Sequence, residues 1–245
     1  MLSRVLEPEV MDSPGEALAY DAMDHSEVNR RFVDDLLAVC SELEGDETAH
    51  GASNNDSAEI DEAAERSPLD VLDIGTGTAL IPIELCRRVA IPRVTAIDLA
   101  TSMLHLARGN IEVANLRDRI RVDRIDAKQL PYADGQFALV ISNSIVHHIP
   151  DPAPVLGEAL RVLAPGGLLF VRDLLRPEDD ATVDHLVATY AAGADERQRR
   201  LFDDSLRAAL SLDEIRKLAE GIGLDPECVL ATSDRHWTLA ARKQQ

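Results

Sequence analysis

Three aspartates close three short apolar runs: Asp73 in VLDI, Asp98 in VTAIDL and Asp126 in RIRVDRID. After the first comes a glycine turn, Gly75-Thr76-Gly77, and then ALIPIELCRRVA with helical spacing. Glycines there permit positive φ and let a ligand approach the backbone closely. Ligands of an open α/β sheet sit outside the carboxyl ends of its strands. The runs would therefore deliver Asp73, Asp98, Asp126 with Ala127, and Ser142 with Asn143 to one cleft. Any single acid also reads as a helix N-cap, and Asp98 does so as readily as it reads as a ligand group, because TSML follows. Three in succession favour a nucleoside. Asp98 lies at the sequence distance from Gly75 expected of an acid that accepts from ribose hydroxyls.

The turn also discriminates among nucleosides. A dinucleotide fingerprint requires G-x-G-x-x-G, and its sixth place here is Leu80. A carboxylate just before the turn, Asp73, is unfavourable beside a pyrophosphate and favourable beside a cation. S-adenosylmethionine carries an amine and a sulfonium and no phosphate, and it suits this electrostatic setting.

The elements that must position these groups alternate. PLDVLDI, RVTAIDL, RIRVDRID, QFALVISN and LLFVRDLL read as strands, separated by helical text. That rhythm predicts a doubly wound α/β fold, a parallel sheet with helices on both faces. PGG at 165–167 reads as the stop of the helix DPAPVLGEALRVL. Val28, Phe32, Leu36 and Cys40 mark an amphipathic helix over 24–43, with Asp24 as its cap. Residues 44–67, acidic and nearly free of large apolar side chains, read as a mobile loop. Two helices are expected over 178–209, holding Leu186, Val187, Leu201, Phe202 and Leu206. SLDEIRKLAEGIG carries a capping-box signature in Ser211 and Glu214, and ECVLATSDRHWTLAA reads as a strand hairpin.

Composition narrows the partners. The 245 residues contain 44 acidic and 25 basic side chains, a formal charge of −19, which disfavours nucleic acid as a substrate. No apolar run approaches the roughly 20 residues of a membrane span, and no secretory signal is legible. Three scattered cysteines form neither a zinc pattern nor a disulfide framework, so a cytoplasmic location and no structural metal are expected. A small molecule is the expected partner; oligomeric state is left open.

Residues 69–173 resemble class I S-adenosylmethionine-dependent methyltransferases of the type 11 group. VLDIGTGTAL is similar to their first motif and VTAIDLATSMLHLAR to their second. IDAKQLPYADGQFALVISNSIVHHIPD resembles the third and fourth, and LGEALRVLAPGGLLFVRD their helix–PGG–strand signature. One departure is Ala79, where the first motif usually has a third glycine; Ala is the mildest replacement, so binding is expected to survive. The resemblance implies a seven-stranded sheet with an antiparallel last strand in a three-layer αβα sandwich. The chain then divides into an N-terminal helical segment or lid (1–43), the acidic loop (44–67) and a Rossmann-like core (68–245) with a helical insertion at 178–209. It also implies methyl transfer to a small molecule, against the alternatives of a binding protein without transferase activity or a protein-directed enzyme. Asp73, Gly75, Thr76 and Gly77 would line the methionine moiety. Asp98, Leu99 and Met103 would contact ribose or adenine, Asp126 and Ala127 the adenine, and Asn143 the methionine end; Met103 reads equally as core.

Candidate bases are His147 and His148, Asp173 at the end of the fifth strand, and Tyr20 in AYDAMDHSE, a region that often lids the site in this family. Each has a structural alternative: a fold-supporting histidine, an Asp173 ion-paired to Arg172, a capped helix around Tyr20, Asp21 and His25. His236 and Trp237 form a DRHW cluster that would hold an acceptor if it bordered the cleft, although burial also explains Trp237.

Overall fold

The computed structural model describes residues 2–10, 12–23, 25–49 and 69–244. Its seven strands are β1 (Leu69–Ile74), β2 (Pro92–Asp98), β3 (Ile120–Arg124), β4 (Phe137–Asn143), β5 (Leu163–Leu174), β6 (Val229–Ala231) and β7 (His236–Arg242). They form one sheet in the order β3-β2-β1-β4-β5-β7-β6. The first five pair in parallel, and β7 runs antiparallel to both β5 and β6. The strand order reverses between β1 and β4, so a crevice opens beyond their carboxyl ends.

Both faces of the central strands are covered, as their near-continuous apolar text requires. Leu72 and Ile74 of β1 face the same side as Val140, Leu169, Trp237 and Leu239, packed on Leu156 and Ala159 of α5 (Ala153–Val162) and Ile215 of α8 (Leu212–Gly221). Val71, Ile141 and Phe170 face the other side. They meet Phe32, Val33 and Leu36 of α2 (Ser26–Ala49), Ile83 of α3 (Leu80–Arg88) and Ala107 of α4 (Thr101–Val113). A short α1 (Pro14–Asp21) precedes α2. The expected pair of helices at 178–209 is α6 (Asp180–Tyr190) and α7 (Glu196–Ala208), where Leu186 and Leu206 make a separate small core with Leu174. Ser211 and Glu214 form the expected capping box of α8.

Two boundaries differ from expectation. Helix α2 runs to Ala49, six residues beyond its expected end at 43. Once Phe32, Val33 and Leu36 anchor the helix, each added residue gains a hydrogen bond without a new nucleation step, so weak helical text is carried along. The rest of the expected loop, and Asp24, lie outside the described residues. PGG does not separate helix from strand, because β5 begins at Leu163. Pairing shifts there from Phe137↔Leu163 to Leu139↔Leu168. The extra residues form a bulge, with Gly166 at φ 75° and Gly167 so close to β4 that a Cβ would lie 2.8 Å from the Ala138 carbonyl oxygen.

Candidate active site

The glycine turn is stitched to the neighbouring strand. The N–H groups of Gly75 and Thr76 both donate to the Ile97 carbonyl at 2.9 Å. Gly75 (φ 72°) and Gly77 (φ 54°) use the left-handed region, and so does Ala79 (φ 64°), the residue before α3. A Cβ on Gly75 would lie 2.2 Å from Ile145 Cγ2, which makes this glycine a steric requirement as well as a conformational one.

Asp98 locks the turn from β2. Its Oδ2 accepts from Gly77 N at 2.8 Å and its Oδ1 from Ala100 N at 2.9 Å. It does not cap α4, whose N-cap position is Ala100 without a side-chain cap. Burial outweighs these N–H bonds and raises the Asp98 pKa. Asp73 is 3% exposed, and its Oδ2 is buried without a hydrogen-bond partner. Burial pushes its pKa up to about 7, and the Asp98 charge adds to the shift. A buried carboxylate oxygen in that state fits a cationic group. Asp126 Oδ1 accepts from Lys128 N at 2.9 Å at the opposite end.

All ten residues expected at the cofactor line a single cleft: Asp73, Gly75, Thr76, Gly77, Asp98, Leu99, Met103, Asp126, Ala127 and Asn143. Met103 also packs with Ala17 and Ala100, so it serves core and cleft together. The four candidate bases separate. Tyr20 and His148 line the cleft; His147 and Asp173 do not. These last two are buried as a pair, His147 Nδ1 to Asp173 Oδ1 at 2.5 Å, and Asp173 also accepts the main-chain N–H groups of Val146, His147 and Leu174. Burial opposes both charges, yet each partner outweighs it: Asp173 raises the His147 pKa and His147 holds Asp173 down.

Arg172 is not the ion-pair partner of Asp173. It reaches Asp35 on α2 at 2.7 Å and Thr238 Oγ1 at 3.0 Å. The DRHW cluster does not border the cleft. Trp237 is fully buried in the core, and His236 Nδ1 meets Ser233 Oγ at 2.9 Å.

A roof crosses this floor. Arg4 donates to the carbonyls of Ala208 (2.7 Å), Ile149 (2.9 Å), His147 (3.1 Å) and Pro150 (3.1 Å). Glu9 pairs with Lys128, and Asp12 Oδ1 accepts from Ser102 N at 2.9 Å. On α1, Asp21 accepts from Asn110 Nδ2 at 2.9 Å, and the Tyr20 ring lies 4.0 Å from where a Gly77 Cβ would stand. Tyr20 also stacks on His25 with centroids 4.4 Å apart. Partial exposure notwithstanding, burial first, then Asp98 and Asp21, raises the Tyr20 phenol. Sequence reasoning missed Glu9, Lys128 and Ile145 in the cleft lining. Ile145 stands two residues after Asn143 and was within reach of the strand-end argument. Glu9 carries no local signal.

Part of this chain is similar to known proteins. The family described as a methyltransferase domain matches residues 72–171, which include the glycine turn and the acids Asp73, Asp98 and Asp126. That segment, less than half of the chain, resembles the class I S-adenosylmethionine-dependent methyltransferases. The 27-O-demethylrifamycin SV methyltransferase of Amycolatopsis mediterranei is 29% identical over 225 residues, covering 86% of this chain and 79% of its own. The ubiquinone biosynthesis O-methyltransferase of Psychrobacter cryohalolentis is 36% identical over 107 residues, 43% of this chain and 41% of its own. This chain thus spans less than half the length of that second relative. An S-adenosylmethionine-dependent methyltransferase from Aquifex aeolicus shares the fold across nearly the whole chain, with a TM-score of 0.58 at 17% identity over 94% and 97% of the two chains.

Proposed function

We propose that the chain transfers a methyl group from S-adenosylmethionine to an oxygen of a small-molecule acceptor. The observation that carries the donor is the unpartnered, buried Asp73 oxygen beside the glycine turn, in a cleft that gathers all three strand-end acids. Asp73 would meet the donor's amine, Asp98 the ribose hydroxyls, and Asp126 the adenine amino group. Each Asp98 oxygen retains a second lone pair beyond its backbone bond, so holding the turn and accepting from ribose are compatible. Bound there, S-adenosylmethionine supplies an already activated methyl group. The protein's part is mainly alignment, worth on the order of 7–11 kcal/mol when the acceptor is held in line.

An oxygen acceptor is supported by the names of the two relatives, one an O-methyltransferase and the other acting on a 27-O-demethyl compound. It is supported too by the polar side chains at the cleft wall, Tyr20 and His148. A binding protein without transferase activity would have no use for them.

Calorimetry with S-adenosylhomocysteine tests the donor site. Wild-type protein binds one equivalent, and Asp98→Ala weakens binding by about 100-fold, the loss of two charge-assisted hydrogen bonds. Equal affinity in the variant refutes the assignment. Incubation with methyl-labelled donor and a panel of hydroxylated metabolites tests the transfer; label appearing only on nitrogen or carbon acceptors refutes the oxygen assignment.

A further inference from the structure

Glu7, His147 and His148 converge where the cleft wall meets the roof. Glu7 Oε1 stands 3.0 Å from His148 Nδ1 and 3.5 Å from His147 Nε2, and one ligand atom from each residue lies within 4.8 Å of the other two. The His147 ring is oriented by Asp173, which engages Nδ1 at 2.5 Å and leaves Nε2 turned toward Glu7. His148 Nδ1 is buried, and close as Glu7 is, it has no aligned hydrogen-bond partner. With both imidazoles neutral, three electron-rich atoms face one another and need a positive charge among them.

A proton serves poorly at these spacings. A charged N–H to carboxylate bond closes to about 2.7–2.9 Å, whereas one contact here is 3.5 Å and the other is misaligned. A tetrahedral ion with ligands at about 2.0–2.1 Å sets them about 3.3 Å apart, between the two observed distances. Asp173 behind His147 is also the outer carboxylate that orients metal-bound imidazoles and raises their basicity.

We infer that Glu7, His147 and His148 form a three-ligand site for a divalent transition-metal ion. Two imidazoles and one carboxylate select zinc or cobalt over magnesium or calcium, which prefer all-oxygen shells. The ion pins the roof to the cleft wall, because Glu7 comes from one and the histidines from the other. His148 also lines the cleft, so the ion's remaining positions open toward the acceptor space. An acceptor oxygen bound there is polarised and gives up its proton more readily. Only this last consequence rests on the methyl-transfer reading.

Cobalt(II) is the probe, added to untagged full-length protein stripped of metal by chelator. One equivalent produces visible d–d bands of tetrahedral or five-coordinate intensity, zinc erases them, and magnesium in large excess does not. Glu7→Gln and His148→Asn each weaken cobalt binding at least roughly tenfold, while far-UV circular dichroism and a cooperative urea transition show that the variants are folded. If His148→Asn does not fold, Glu7→Gln decides. Failure to bind one equivalent of cobalt, or equal binding in Glu7→Gln, overturns the site. The titration uses no methyl donor, so its failure leaves the proposed transfer standing, and a silent transfer assay leaves the metal site standing.

Discussion

The floor of the cleft comes from residues 73–148, the ends of β1 to β4, whereas its roof comes from residues 4–21. The floor is held by main-chain groups and one carboxylate: Gly75 and Thr76 on the Ile97 carbonyl, and Gly77 and Ala100 on Asp98. Side chains hold most of the roof, beside one Val5 N–H bond to the Arg207 carbonyl, and reach partners 89 to 204 residues away, as Asp21 does at Asn110 and Arg4 at Ala208. Main-chain stitching is set by φ angles and therefore by residue type at fixed spacing. Side-chain tethers are set by tertiary packing, and nothing in MLSRVLEPEV announces what they will meet. A floor of the first kind fails all at once; a roof of the second kind loosens by degrees.

The largest expected effect falls on the floor. Gly75→Ala adds a Cβ into Ile145 at a left-handed position, and overpacking plus the φ penalty should remove about 3 kcal/mol of stability. Urea unfolding measures it; a loss under about 1 kcal/mol would mean that Ile145 turns aside and the floor is softer than its bonding implies. Arg4→Ala should act differently. Stability falls by about 1–2 kcal/mol as carbonyls lose their donor, and S-adenosylhomocysteine leaves faster, with little change in its association rate. Stopped-flow displacement checks this, and an unchanged dissociation rate would show that the roof does not retain the ligand.

Asp73 sharpens the contrast through pH. Its folded pKa is about 7 against an ordinary 3.8, so the folded chain keeps a proton that the unfolded chain has released. Its contribution to stability is therefore greatest below 3.8, declines between 3.8 and about 7, and is flat above that. The slope reaches at most about 1.4 kcal/mol per unit. Binding of a cationic amine runs the other way, with affinity rising as pH rises through 7. Asp73→Asn should flatten both curves in denaturation and calorimetry from pH 5 to 8. The smallest effect belongs to Ala79→Gly. Relief of a left-handed alanine outweighs the added freedom of the unfolded chain and raises stability by roughly 0.5–1 kcal/mol. No gain would show that the surrounding structure already absorbs the strain.

The same contrast explains what could be read in the sequence. The strand rhythm, the hairpin and the residues that line the cleft floor are legible because each depends on local periodicity or on a strand end. The sequence alone does not separate cap from ligand group at Asp98, because its acceptance from Gly77 spans two strands. His147 and Asp173 were grouped with Tyr20 and His148 because sequence cannot tell which of two adjacent histidines faces the cleft. Adjacency in sequence suggests an Arg172–Asp173 pair, yet alternation along β5 sends the two side chains to opposite faces, one toward α2 and one toward His147.

Helix α2 lies outside the 72–171 segment shared with the family, yet Phe32, Val33 and Leu36 are at most 1% exposed against the same sheet face as Ile141 and Phe170. Similarity and packing thus draw different borders. A fragment cut at residue 69 would retain every motif by which the protein is recognised and would bare to water the part of the apolar sheet face that α2 covers. It would be expected to aggregate, whereas a separately supplied peptide of residues 2–49 should restore its solubility. What divides easily on paper is, as matter, one piece.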